Sequence, residues 1–245
     1  MYPVLFTIFG HPVKTYGVFL SLAHLLAIAG LLWKLKREGK SLEPYVDTVF
    51  ALFLAGVVGA RAAYILENPR EFASPLEWLY LWRGGLSVFG GLLLALPAYL
   101  AVLRWRKLPV WETSDSLIAI LPFSLGLIRL GCFGAGCCHG SPTNLPWGVM
   151  PEHIPFHLAG ESIHPTQIYE AIFLFTLAIF FTRWKSTKAG ITSCLFLLAY
   201  GLFRLATNSL RGDFNSEGYL LAQATAGALT FLAAMALAWR WKRVT

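Results

Sequence analysis

Long runs of apolar residues, separated by short polar segments, dominate the chain. Each run is close to the length of about 20 residues that a helix needs to cross a bilayer core. The seven runs occupy 17–33, 46–66, 84–103, 116–133, 165–182, 189–206 and 218–239. The pattern predicts an all-α integral membrane protein of about seven transmembrane helices. We expect 1–245 to form a single transmembrane domain, with a short external segment at about 134–163.

Composition excludes an ordinary soluble domain. Hydrophobic residues make up 56% of the chain and charged residues only 13%, whereas soluble domains carry roughly 25% charge. Too few polar side chains are present to cover a globular surface, so we expect lipid to surround most of the chain. The N-terminus lacks the basic region of a cleavable signal peptide, and the first helix is therefore expected to stay in the mature protein.

The basic residues predict the orientation in the membrane. Thirteen of the 20 Lys and Arg residues follow the first, third, fifth and seventh runs. These connections all lie on one side if the chain alternates, and the positive-inside rule makes that side cytoplasmic. The N-terminus is then outside and the C-terminus cytoplasmic. The net charge of +7 is explained by this bias, and it indicates no nucleic-acid partner.

Three arginines, Arg61, Arg129 and Arg204, lie inside predicted helices. A charge at mid-bilayer costs at least ~2.5 kcal/mol, so such residues usually face the protein interior. The predicted orientation places all three in the outer half of the membrane, where acids are few (Glu67, Glu170 and Asp213). Guanidinium groups bind phosphate in a bidentate manner, which makes a phospholipid headgroup the expected ligand. Alternatively, each arginine reaches the outer headgroups or pairs with a structural acid.

Two further patterns concern helix packing and helix ends. Ala55, Gly59 and Ala63 form a stripe of small residues that lets another helix approach closely. Asp115 begins the fourth predicted helix on the cytoplasmic side, where a carboxylate suits a helix N-terminus, and we interpret it as structural. Polar residues also begin other helices at the level of the arginines: Tyr16, His164, Gln167, Tyr169, Glu170 and Gln223.

Seven short motifs, in order along the chain, resemble those of the bacterial prolipoprotein diacylglyceryl transferases. The most specific is His164-Pro165-Thr166-Gln167-Ile168-Tyr169-Glu170, which matches His-Pro-x-Gln-x-Tyr-Glu. The others are Tyr16-Gly17, Gly59-Ala60-Arg61 through Tyr64, the segment 84–91, the segment 129–140, Pro146-Trp147, and Tyr200 to Arg204 with Arg211.

This resemblance implies seven helices in the bacterial cytoplasmic (inner) membrane and a site on the periplasmic side, open laterally to lipid. It also implies that the diacylglyceryl group of phosphatidylglycerol moves to the lipobox cysteine thiol of a prolipoprotein, with release of glycerol phosphate and no cofactor or metal. The implied catalytic residues are Arg129, Arg204, His164 and Tyr16. The implied substrate-binding residues are Arg61, Gln167, Tyr169, Glu170, Tyr200, Arg211 and Gly140.

The chain departs from the family pattern at several positions. Phe89 stands where the family has a His, and Asn208 replaces an acid. Cys132, Ala135 and Cys137 replace the two Asn and the Glu of the fourth-helix signature. The lipid donor is therefore better supported than the acceptor, and a small thiol, a lipid or another small molecule is an alternative acceptor. A non-enzymatic seven-helix receptor or carrier is a further alternative.

Cys132, Cys137, Cys138 and His139 allow several interpretations. Their spacing fits no familiar zinc pattern well, so we assign no metal ligands, and a metal site stays one alternative. A disulfide suits an oxidising compartment, small-residue packing suits a Gly-rich turn, and direct redox or acyl-carrier chemistry is a further alternative. His139 is a candidate substitute base, and Cys194 is expected to serve packing.

Overall fold

The computed structural model describes residues 2–81, 84–150, 160–184, 186 and 188–244. Within these residues the chain is mostly helical, as predicted. The helices are α1 (Thr15–Arg37), α2 (Glu43–Glu67), α3 (Val88–Trp105), α4 (Val110–Ile118), α5 (Leu121–Ala135), α6 (Thr166–Arg183), α7 (Ile191–Thr207) and α8 (Ser216–Val244). Short 3-10 turns occupy Pro69–Glu71, Pro75–Leu79 and Asn208–Leu210.

Five of the described helices are long and apolar enough to cross a membrane, namely α1, α2, α3, α7 and α8. A sixth span arises if α4 and α5 are counted as one bent element. Helix α6 coincides with the predicted run 165–182 but does not reach the same apolarity, since it carries Gln167, Glu170 and Arg183. The chain is thus an all-α membrane protein with five or six candidate spans, and a seventh span at α6 stays a prediction.

The fourth predicted helix, 116–133, is broken. Helices α4 and α5 meet at an angle of 42° around 119–120, and Pro122 lies in the first turn of α5. Proline lacks the N–H that would continue the helix, and its ring clashes with the carbonyl four residues earlier. Hydropathy along this run did not predict the break, because hydropathy does not report on backbone hydrogen bonding.

The chain divides into two compact units, residues 32–113 and residues 1–31 with 114–245. In the first unit, α2 and α3 meet at glycines. A Cβ atom added at Gly90 would overlap the carbonyl oxygen of Gly59 and the Cβ of Ala63. The predicted small-residue stripe on α2 is therefore confirmed at Gly59 and Ala63 as a close helix contact.

In the larger unit, residues 1–31 with 114–245, helix α5 packs against both α1 and α6. A Cβ at Gly131 would lie 2.6 Å from the Cβ of Phe19, and one at Gly126 would lie 2.7 Å from the ring of Phe175. Farther along α6, Leu174 and Phe181 form a buried apolar cluster with Phe196 of α7. These contacts hold α5, α6 and α7 at the positions from which their polar residues meet.

Asp115 stabilises the start of α7 rather than the start of its own helix. Its carboxylate accepts hydrogen bonds from the Gly190 amide at 2.6 Å, the Ser193 amide at 2.8 Å and the Ser193 hydroxyl at 2.6 Å. The first amides of a helix have no partner within the helix, and a carboxylate also suits the positive end of the helix dipole. The predicted structural role is confirmed, but the helix that it caps is a different one.

A β-hairpin that the sequence pattern did not predict precedes α1. Strands β1 (Val4–Ile8) and β2 (His11–Lys14) pair antiparallel with Ile8 opposite His11. The two-residue turn, Phe9 and Gly10, has φ values of 48° and 79°, and such turns fit the right-handed twist of paired strands. The Thr15 amide donates to the Pro3 carbonyl, so the hairpin leads directly into α1.

Candidate functional site

Two arginines from different helices share one buried carboxylate. The Glu170 side chain, near the start of α6, is 5% exposed, and its Oε1 lies 3.0 Å from Nε of Arg129 on α5. Its Oε2 lies 3.1 Å from Nη1 of Arg204 on α7. The Tyr200 hydroxyl donates to Oε1 at 2.7 Å. Tyr200 and Arg204 are four residues apart and lie on one face of α7, so both side chains can reach Glu170. Four predicted site residues therefore meet across three helices.

This cluster keeps unused hydrogen-bond donors. Arg204 contacts Glu170 through Nη1, and its Nε and Nη2 have no hydrogen-bond partner in the described part of the chain. Arg129 uses Nε for Glu170, and its Nη2 has no such partner among the same residues. Two guanidinium groups facing one carboxylate leave one net positive charge. The arginines are also partly open, with 22% and 16% of their side chains exposed, so they can bind an anion.

Three cysteine thiols lie beside Arg129. Its Nη1 is 4.0 Å from Sγ of Cys132 and 3.7 Å from Sγ of Cys138. The sulfur atoms of Cys132, Cys137 and Cys138 all lie within 4.8 Å of one another, and all three residues are free cysteines. The spacing along the chain did not indicate this grouping, because it depends on how the chain turns after α5.

Hydrogen bonds between the thiols change the proton affinity of the two that follow α5. The neighbouring thiols of Cys132 and Cys137 lower the pKa of Cys138 far below its ordinary value, and the charges of Arg211 and Arg129 act in the same direction. The pKa of Cys137 is raised to about 11, because hydrogen bonding to Cys138 and burial outweigh the opposing hydrogen bond with Cys132. Cys138 is therefore the more acidic of these two thiols.

The segment after α7 closes over the segment after α5. Gly140 pairs with Arg211 in an isolated β-bridge, and its amide donates to the His164 carbonyl at 3.0 Å. A Cβ at Gly140 would lie 2.5 Å from the Cβ and the carbonyl oxygen of His164. No larger residue fits there without moving backbone, so Gly140 sets the distance between the segments that follow α5, precede α6 and follow α7.

Arg211 is already paired. Its Nε and Nη2 donate to the two carboxylate oxygens of Asp213 at 2.6 and 2.5 Å, and the guanidinium lies over the Phe214 ring. Burial disfavours its charge, but the hydrogen bonds with Asp213 outweigh burial and raise its pKa. Arg211 therefore contributes a fixed positive charge near Cys138, with its Nε and Nη2 donors occupied by Asp213.

His164, Tyr169 and Trp147 form a short hydrogen-bonded chain. The Trp147 indole donates to the Tyr169 hydroxyl at 2.9 Å, and Nδ1 of His164 lies 3.2 Å from the same hydroxyl. The other ring nitrogen of His164 has no hydrogen-bond partner within the described residues. These contacts orient the imidazole and leave Nε2 available for proton transfer.

Gln167 and Tyr16 approach the thiols from two helices. Gln167 is 1% exposed; its Nε2 donates to the Cys137 carbonyl at 2.7 Å, and its buried Oε1 lacks a partner in the described part of the chain. Tyr16 lies in the first turn of α1 and is 38% exposed; a Cβ at Gly131, next to Cys132, would lie 3.6 Å from its Cα. Both predicted residues therefore lie near the cysteines.

Arg61 lies in the 32–113 unit and has a different environment. Its Nε donates to the Trp78 carbonyl, Nη1 to those of Gly84 and Gly85, and Nη2 to those of Glu77 and Tyr80. All of these partners are backbone oxygens, and the residue is buried. The contacts describe an arginine that organises a loop; its predicted contact with substrate stays a prediction.

Sequence reasoning placed the arginines and Glu170 at one level but missed that Glu170 bridges two of them. The i, i+4 spacing of Tyr200 and Arg204 was an available signal for a shared partner on α6.

His139, a candidate base, is buried with Nδ1 at 3.1 Å from the Gly140 carbonyl. Asn208 is 1% exposed and donates to Gln223, so this departure from the family pattern serves α7–α8 packing. Arg83, His153 and His157 lie outside the described residues.

Comparison with known proteins extends over nearly the whole chain. A model of the family described as prolipoprotein diacylglyceryl transferase matches residues 3–240. The chain is similar to proteins named phosphatidylglycerol–prolipoprotein diacylglyceryl transferase. The one from Clostridium tetani is 33% identical over 219 residues, which cover 87% of this chain and 86% of that protein. The one from Thermotoga maritima is 30% identical over 237 residues (93% and 80%), and the one from Synechocystis is 29% identical over 253 residues (97% and 88%).

Proposed function

The chain belongs to the prolipoprotein diacylglyceryl transferase family, and on this premise we propose that it transfers the diacylglyceryl group of phosphatidylglycerol to the cysteine thiol of prolipoproteins. The relatives are named for this reaction. The chain is accordingly a multi-pass protein of the bacterial cytoplasmic membrane. A receptor or carrier finds no comparable support.

The observation that carries the proposal is the Arg129–Glu170–Arg204 cluster. Its one net positive charge and its unused N–H donors suit a phosphodiester, which carries one negative charge. Arginine forks match the geometry of phosphate oxygens. The same donors stabilise the charge that grows on the phosphate as it leaves. Both the binding and the departure of the phosphate are therefore assigned to these two arginines.

The reaction is a nucleophilic displacement. The acceptor sulfur forms a bond to the terminal glyceryl carbon of the lipid, the bond from that carbon to the phosphate oxygen breaks, and glycerol phosphate leaves with the electron pair. The acceptor thiol, with an ordinary pKa near 8.5, must lose its proton for the thiolate to attack. We assign His164 as the base through Nε2, because the contact of Nδ1 with Tyr169 already orients the ring.

We further propose that the site faces the periplasm. The support is the bias of 13 basic residues toward the connections after alternate apolar runs. Reporter fusions after residue 145 and at the C-terminus test this orientation. We expect an external signal at residue 145 and a cytoplasmic one at the C-terminus, and the reverse pattern would contradict both the orientation and the location of the site.

The cysteines that replace the Asn and Glu positions of the signature favour a second candidate, the same donor with a smaller acceptor. A thiol-rich surface beside Arg129 differs from the amide and carboxylate groups of the family pattern. The same assay distinguishes the candidates: purified protein with phosphatidylglycerol is offered a lipobox peptide or a small thiol, and the thioether product is identified by mass.

The decisive experiment replaces Arg129 and Arg204 by Lys, singly, and measures transfer to the lipobox peptide. Lysine keeps the charge but loses the fork, and loss of a donor to developing charge costs about 10²- to 10³-fold in rate. Arg104→Lys is the matched control, since Arg104 is exposed at the end of α3, and it should retain full activity. Full activity of both Arg129→Lys and Arg204→Lys would show that these side chains do not hold the phosphate.

A further inference from the structure

The three thiols beside Arg129 are brought together by a sharp turn at the end of α5. Gly136 ends the helix in a left-handed conformation with φ of 76°, and the Cys137 amide donates back to the Cys132 carbonyl at 3.1 Å. Cys138 follows with φ of 62°, which is unfavourable for a residue with a side chain. The chain thus reverses within six residues and returns two sulfur atoms to the third.

Two side chains of helix α6 bind the backbone carbonyls of this turn and make no hydrogen bond to its thiols. The Thr166 hydroxyl donates to the Cys138 carbonyl at 2.9 Å, and Gln167 Nε2 donates to the Cys137 carbonyl at 2.7 Å. Thr166 and Gln167 are both buried. Strained backbone persists only where the surrounding structure holds it in place. The two buried side chains of α6 do so here, and they thereby fix the positions of the cysteines.

We propose that Cys132, Cys137 and Cys138 bind one thiophilic closed-shell cation, Cu⁺ or Zn²⁺. Thiolate ligands select these ions over hard cations. With metal–sulfur bonds of about 2.3 Å, the sulfur atoms of a tetrahedral or trigonal site lie about 3.8–4.0 Å apart. The thiols, all within 4.8 Å of one another, need to close by less than about 1 Å to reach that spacing. Three thiolates complete a trigonal Cu⁺ site, or leave one position open on Zn²⁺.

The surrounding charges fit such a site. The three sulfur atoms bind as thiolates, and any thiol that is still protonated releases its proton. Three thiolates leave a net charge of −2 with Cu⁺ or −1 with Zn²⁺. Nη1 of Arg129 lies 3.7–4.0 Å from two of the sulfurs, and Arg211 pairs with Gly140, two residues after Cys138. The Arg129 guanidinium offsets part of this negative charge, whereas the charge of Arg211 is already paired with Asp213. No redox step is involved.

The test is metal binding by the full chain in detergent, reduced, stripped with a chelator and kept without oxygen. Cu⁺ and Zn²⁺ are titrated in separate arms against a competing chelator, and Co²⁺ replaces Zn²⁺ as a spectroscopic probe. We expect one equivalent per chain and, with Co²⁺, sulfur-to-metal absorption in the near ultraviolet. Whichever arm binds more tightly identifies the ion.

Cysteine variants separate the site from incidental thiol binding. Cys137→Ser changes an exposed residue and should not impair folding. It should weaken binding by more than about 100-fold, since even loss of an outer partner of a metal ligand costs 10–100-fold. Cys194→Ser is the matched control, because Cys194 lies outside the cluster and should leave binding unchanged.

Three results would overturn the proposal: less than one equivalent of either ion, equal affinity of wild type and Cys137→Ser, or two missing thiols in unreduced protein, which would reveal a disulfide instead. None of these readouts depends on transfer activity. A negative metal-binding result therefore does not contradict the proposed transferase reaction. A negative transfer assay likewise does not contradict the metal site.

Discussion

Removing the negative charge of Glu170 should destabilise the protein more than any other conservative change at the site. In Glu170→Gln the side chain keeps its shape, but one carboxylate oxygen becomes an NH₂ group. That group must face a donor of Arg129, Arg204 or Tyr200, all of which now contact the carboxylate. The variant therefore leaves two guanidinium groups without their shared partner and adds a contact between donors.

The magnitude follows from burial. Removing one partner of a buried ion pair costs about 3–5 kcal/mol, because the other charge stays buried and uncompensated. Glu170 is 5% exposed, but the arginines are 22% and 16% exposed, so water can reach them in part. We therefore expect the lower end, about 3 kcal/mol. In a protein of this size that corresponds to a fall of about 6–12 °C in the thermal midpoint.

The assay is thermal unfolding in detergent at one scan rate. Glu161→Gln is the matched control, because Glu161 is exposed and such surface changes usually stay within about 0.5 kcal/mol. A second Arg204→Gln substitution should cost less in the Glu170→Gln background than in wild type, since it removes a charge already unpaired; residues in contact couple by about 0.5–3 kcal/mol. A midpoint equal to that of Glu161→Gln, or strictly additive effects, would show that Glu170 does not hold the arginines together.

Three other substitutions test the fold with the same melting assay. Gly90→Ala should destabilise by about 1–3 kcal/mol through overpacking against Gly59, whereas Gly227→Ala, which meets open space, should not; equal midpoints would contradict the close α2–α3 contact. Asp115→Ala should cost about 1 kcal/mol through loss of the α7 cap, and an unchanged midpoint would contradict that role. Arg61→Lys should lower the midpoint, because one ammonium cannot reach all the carbonyls; a wild-type midpoint would contradict a structural role for Arg61.

Hydropathy and the low content of charged residues predicted the helical membrane fold, because both report directly on solvation by lipid. They did not predict the break near Pro122, since hydropathy treats 116–133 as one apolar run despite Arg129, whereas the cause of the break is a missing backbone donor. Nor could they predict the hairpin, which depends on a two-residue turn at Phe9 and Gly10. Both failures concern backbone geometry rather than the apolar pattern.

The arginines show the same division. Arg61 and Arg204 look equivalent in the sequence, as single charges near the ends of apolar runs. Their partners differ, because Arg61 meets backbone carbonyls of residues outside the long helices, such as Glu77 and Gly84, where the apolar pattern gives no signal, whereas Arg204 meets a side chain of helix α6. The cysteine cluster likewise depends on the left-handed turn at Gly136. Spacing along the chain carries no information about that turn.

The contact of Asp115 with the start of α7 fixes the register of that helix, and the register in turn determines where Arg204 lies. Ser193 is held to Asp115, and Arg204 follows it by 11 residues, a rise of about 17 Å along a helix. With one end tied, the number of residues between them determines both the height and the direction of the guanidinium. One alanine inserted between 195 and 199 would raise Arg204 by about 1.5 Å and turn it by about 100°, away from Glu170. The position of Arg204 relative to Glu170 is thus set by the number of residues between the two ends of α7.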